Sequence, residues 1–101
     1  MSQKPQVRAK LTFIASDQGG RKIPARSGTR SQLKVNDIFT SCIVRSENEE
    51  QVFEFGVEYD VTLELLFWDC YKDGIYAGMP LQLNEGDRAV GFGTIEAIVT
   101  Q

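Results

Sequence analysis

Apolar and polar residues alternate along VRAKLTFIAS, with Val7, Ala9, Leu11, Phe13 and Ala15 in one phase and Arg8, Lys10, Thr12 and Ser16 largely in the other. A period of two over this length is the signature of a half-buried β-strand. The stretch QLKVNDIFTSCIVR is rich in β-branched and aromatic residues. Leu33 and Val35 share a phase there, and Asp37 predicts a bend or bulge ahead of a second phase through Phe39, Ser41 and Ile43. SENEE reads as an acidic loop. YDVTLELLFWD sets Val61, Leu63, Leu65 and Phe67 in phase, and MPLQL does the same for Met79, Leu81 and Leu83. NEGD then turns the chain into RAVGFGTIEAIVT, which predicts a hairpin. No stretch holds a helical period for three turns, and Gly or Pro interrupts most windows long enough to do so. Short strands at this spacing predict an antiparallel sandwich or a small closed barrel.

Composition places these strands in one domain, 1–101, with a core over about 7–99. A chain of 101 residues, 42% hydrophobic with ten aromatics, can bury a modest core without metal or disulfide support. No apolar run approaches a membrane span, and MSQKPQVRAK lacks the apolar segment of a signal peptide, so a soluble cytoplasmic protein is expected. Cys42 and Cys70 show neither disulfide-scaffold density nor metal-ligand spacing. Both are expected reduced and mostly buried, Cys70 being the more accessible because it follows Asp69 at a strand end.

Charge divides the chain. Residues 1–35 carry a balance of +7 and residues 36–101 a balance of −10, for the net −3. Either the body has a basic and an acidic surface, which favours a charged partner or head-to-tail association, or the two halves interleave and the signs pair. Candidate chemistry is sparse. Without histidine there is no Ser-His-Asp triad, Cys-His dyad or histidine metal site. Glu64 and Glu96 on strands and Glu47, Glu49 and Glu50 in the acidic loop read as solvated surface rather than as an acid/base pair. GFG at 91–93 lacks the spacing of a dinucleotide loop and reads as tight barrel curvature or close backbone approach. No Walker A motif is present. No catalytic residue, cofactor or metal site is assigned, and neither GTP nor a membrane is an expected partner.

Five cations, Arg21, Lys22, Arg26, Arg30 and Lys34, crowd the Gly- and Pro-interrupted stretch GGRKIPARSGTRSQLKV. Part of it, GGRKIPARSGTRSQ, resembles the GGRHTPF...GYRPQF segment in the third, C-terminal domain of bacterial elongation factor Tu. NEGDRAVGFGTI is similar to the REGGRTVGAGVV ending of that domain, and DVTLELL between them is similar to its NVTMTVEL strand. The order and distance agree, so the resemblance covers roughly Val7 to Val99. It implies a six-stranded antiparallel β-barrel standing without the GTPase domain that the family carries. In the family this domain packs on the GTPase domain, touches the T stem of aminoacyl-tRNA and offers a face to the nucleotide exchange factor. Gly19, Gly20, Arg21, Pro24, Gly28, Arg30 and Gln32 match the first motif, and Glu85, Gly86, Arg88, Val90, Gly91 and Gly93 the second. Lys22 stands where the family has histidine, Ala25 and Arg26 replace an aromatic-rich pair, Thr29 a tyrosine, Ser31 a proline and Leu33 an aromatic. The glycines that set backbone shape are kept while contact-making aromatics are lost, which puts the family's own contacts in doubt.

Three readings of the basic stretch follow. Arg21 and Arg30 pair with later acids such as Asp60 or Glu64; or the five cations hold phosphate oxygens of tRNA or another RNA; or the loop recognises a protein. The sequence thus predicts a noncatalytic binding or adaptor domain engaging a protein or tRNA partner of the translation machinery. The alternatives are an RNA-backbone-binding module using loop 19–34, and a decoy, inhibitor or immunity-type domain unrelated to translation. It leaves oligomeric state open.

Overall fold

The computed structural model describes residues 6–15, 17 and 19–99, so the end of the first alternating run at Ser16 lies outside the described residues. Six strands, β1 (Gln6–Phe13), β3 (Thr29–Val35), β4 (Ile38–Arg45), β6 (Glu58–Leu65), β7 (Pro80–Glu85) and β8 (Arg88–Val99), close into an antiparallel barrel in the order β1-β6-β4-β3-β7-β8. The all-β, six-stranded antiparallel barrel expected from the sequence is the one observed. Two short strands, β2 (Ala25–Arg26) and β5 (Val52–Phe53), pair separately. The only α-helix among the described residues is the single turn α1 (Trp68–Tyr71), followed by a 3-10 turn at Lys72–Gly74. No helix among them is long and apolar enough to cross a membrane.

Alternation sends one phase of each strand into the barrel. Val7, Ala9, Leu11 and Phe13 of β1 meet Leu33 and Val35 of β3, Val61, Leu63 and Leu65 of β6, and Leu81 and Leu83 of β7 in one buried cluster. In a barrel this narrow, side chains fill the interior. Two expectations shift. The chain reverses in a two-residue turn, with Asn36 at φ 57° and Val35 registered on Ile38, so Thr40, Cys42 and Val44 face inward while Phe39, Ser41 and Ile43 face outward. β6 ends at Leu65, which leaves Phe67 outside its phase and exposed.

Both barrel ends are capped. At one, β2 and β5 bring Ala25 and Phe53 over the core, where Phe53 stacks on Phe13 at 5.5 Å and meets Tyr59 edge-on at 5.2 Å. At the other, β6 and β7 are separated by β4 and β3, so residues 66–79 cross beneath them. That crossing buries Ile75 and Met79 and packs Trp68 and Tyr71 against the core. Cys42 is buried inside the barrel, whereas Cys70 on α1 is exposed rather than mostly buried, because a one-turn helix on the rim has little to cover it. Both thiols are free.

Candidate functional site

The two motifs that carry the elongation factor resemblance meet at the β2/β5 end. Arg21 N–H donates to Ile14 O at 2.9 Å and Gly20 N–H to Ala15 O at 2.8 Å, folding the loop back on the end of β1. The Arg21 guanidinium, only 17% exposed, pairs with the Glu85 carboxylate and donates through Nε to Ile23 O at 3.0 Å. Arg88 donates to Gly20 O at 3.3 Å. Each motif therefore clamps the other. Gly19 (φ 88°), Gly28 (φ 98°) and Gly86 (φ 63°) turn the backbone, and Pro24 is exposed on the approach to β2.

Close approach explains two more matched glycines. A Cβ at Gly20 would overlap the Ile14 carbonyl, and one at Gly93 would overlap the Lys10 carbonyl across the β1–β8 seam. Gly91 and Gly93 sit opposite Phe13 and Leu11 in that seam, as the barrel-curvature reading of GFG expects. Sheet contacts this tight admit only backbone hydrogens.

The five candidate cations do not share one surface. Arg21 is held by Glu85 at the end of β7, a motif residue not expected as its partner, while the expected acids are taken elsewhere: Asp60 accepts from Lys10 at 2.8 Å and Glu64 from Arg45 at 3.1 Å. Lys22 is exposed beside that clamp. Arg26 lies on β2, which β5 and the bonds Ser27 N–H to Gln51 O (2.9 Å) and Ser46 N–H to Ser27 Oγ (2.9 Å) fasten beside the loop of Glu47, Glu49 and Glu50. Arg30, Gln32 and Lys34 occupy the outward phase of β3. Arg30 and Lys34 are thus four residues apart along one strand, about 13 Å at the usual rise.

Around Lys34 lies a feature the sequence reading missed. Four of the ten aromatics are exposed, Phe39 (39%), Phe67 (56%), Tyr76 (59%) and Phe92 (46%). Phe39 is registered opposite Lys34. On the other side of β3, Lys34, Tyr76, Pro80, Gln82 and Phe92 line an open groove of about 330 Å³, in which Lys34 is the only charged lining residue among the described residues. Leu66 N–H donates to Ser41 O at 3.3 Å, bringing Phe67 to the β4 side of the same end. The available signal was Phe92, a large aromatic in the polar phase of β8 with Thr94 and Glu96.

Elsewhere opposite charges pair. Besides Lys10–Asp60, Arg45 lies 3.6 Å from Glu49. The Asp60 hydrogen bond and charge, with Glu96 nearby, raise the Lys10 pKa above its usual value. Burial pushes the Cys42 thiol up to about 12. No group of three or more His, Cys, Asp or Glu among the described residues is arranged to hold a metal ion. No known protein-family model matches the chain.

Proposed function

We propose that the chain is a noncatalytic binding domain, a relative of the third domain of elongation factor Tu, and that it engages a protein through the outer face of β3 and β7. The observation that carries this reading is the exposed aromatic set around the Lys34 groove, since aromatic anchors in open pockets concentrate binding energy. The elongation factor motifs support the descent but hold the barrel together, with Arg21, Arg88, Gly20 and Gly93 committed to internal contacts. The proposed partner surface therefore uses outward positions such as Gln32 and Phe92 rather than those clamped residues. A cytoplasmic setting accords with two free thiols.

RNA-backbone binding is the second reading, favoured by the exposure of Lys22, Arg26 and Arg30. The acidic loop beside Arg26 weighs against it, because a polyanion approaching β2 meets Glu47, Glu49 and Glu50 as well. Phe92→Ser with Tyr76→Ser, compared with Lys22→Ser with Arg26→Ser in capture from the native lysate, separates the two. Loss of a specific protein in the aromatic variant alone supports the proposal. Salt-sensitive nucleic acid lost in the basic variant alone, read as the ratio of absorbance at 260 and 280 nm, replaces it with the RNA reading.

A further inference from the structure

The outward face of β3 differs from its neighbours in having cations without acids opposite them. Arg30 is registered on Ile43, Gln32 on Ser41 and Asn84, and Lys34 on Phe39. Neither Arg30 nor Lys34 forms a salt bridge among the described residues. On the β1, β6 and β4 side, by contrast, Lys10 reaches Asp60 and Arg45 reaches Glu64 across adjacent strands. The β3 row ends at the apolar groove of Tyr76, Pro80 and Phe92, whose one charged lining residue among those described is Lys34.

Resting on the protein-binding reading above, we propose that this face receives an extended acidic segment of the partner, with an apolar anchor residue beside its carboxylates. Carboxylates about four extended residues apart span the distance from Arg30 to Lys34, since a peptide strand has the same rise as β3. Gln32 between them offers an amide to the peptide's main chain or polar side chains. One large apolar side chain just past the second carboxylate enters the groove and is covered by Phe92 and Tyr76. The cations steer the segment and fix its register, while the anchor supplies most of the affinity. A net charge of −3 leaves most of the body repelling such a segment, so the β3 row also selects where it lands.

The test uses a fluorescein-labelled ten-residue peptide with two glutamates four positions apart and a phenylalanine two positions beyond the second. Fluorescence polarisation against the full chain should show binding that weakens with salt. Exchanging both peptide glutamates for glutamine, or Lys34→Glu in the protein, should weaken it about tenfold or more. Phe92→Ser should weaken it similarly, and all variants should keep the wild-type melting temperature. Equal binding of the glutamine peptide, indifference to Lys34→Glu, or preferential binding of a twelve-nucleotide RNA through the same residues overturns the proposal. Lysate capture distinguishes its failure from that of the underlying reading. A partner lost with Phe92→Ser but kept by Arg30→Glu and Lys34→Glu sinks the acidic segment alone, and one lost with neither sinks both.

Discussion

Two outer faces of the same barrel obey the same strand alternation and reach opposite electrostatic states. Where β1, β6 and β4 lie side by side, Lys10 has Asp60 and Arg45 has Glu64, so the charges that keep that face wet also satisfy each other. Where β4, β3 and β7 lie side by side, Arg30 and Lys34 look onto Ile43, Phe39 and Gln82, with aromatics exposed around them. Sequence asymmetry alone does not separate these faces. β1 belongs to the basic first third of the chain, yet the topology sets it beside acidic β6, where Lys10 finds Asp60. β3 belongs to the same third, but its neighbours bring no acid opposite its cations. Strand order decides which cations meet an acid across the sheet.

The largest loss is expected at the β1–β8 seam, which closes the barrel that carries both faces. Gly93→Val drives a side chain into the Lys10 carbonyl and should cost about 3 kcal/mol, the upper end for overpacking because the obstacle is backbone, read by chemical denaturation. A wild-type midpoint would show that the seam is looser than the geometry states.

Alkaline pH is the next lever, because it acts on Cys42 in the interior and on Lys10 of the paired face. Burial holds the Cys42 thiol neutral, its pKa raised from 9.0 to about 12. Its contribution is therefore complete below pH 9 and withdrawn as pH rises toward 12. The raised Lys10 pKa has the same sign, its pairing with Asp60 being present below the unfolded value of 10.5 and lost above it. Stability should fall steeply above pH 9, and Cys42→Ala should flatten the first part of that fall. At neutral pH a thiol reagent should modify Cys70 rapidly and Cys42 only after unfolding.

Arg21→Ala sharpens the contrast between cations used internally and cations left outward. It removes a mostly shielded partner from Glu85 and should cost about 1 to 2 kcal/mol, between the values for exposed and buried pairs. Arg30→Ala should leave the melting temperature nearly unchanged. Smallest in stability is Phe92→Ser, expected within about 0.5 kcal/mol of wild type because the ring is on the surface, with its effect confined to partner binding.

The barrel was legible where strands carry one strongly apolar phase, as in Val7, Ala9, Leu11 and Phe13 or Val61, Leu63 and Leu65. The phase of β4 was not. Its inward set includes Thr40, whereas its outward set includes Phe39 and Ile43, so hydrophobicity pointed the wrong way and only the two-residue turn at Asn36 and Asp37 fixed the register. The candidate site was legible in part. Clustering along the chain suggested one basic surface, but a loop, a two-residue strand and a seven-residue strand carry those cations to different places. The Lys34 groove joins β3, β7, β8 and the crossing segment, so the one local sign of it was Phe92 in the polar phase of β8.

Closure of the barrel has a consequence for how such a domain changes allegiance. Every barrel strand has a neighbour on each side, leaving no barrel edge where a visiting chain could extend the ladder through its main chain. Recognition on the barrel wall must then be written in side chains, on outward positions that the hydrogen-bond network does not read. Such positions can be rewritten one residue at a time while the clamps between the two motifs keep the body intact, so an old scaffold can acquire a new partner without passing through an unfolded ancestor.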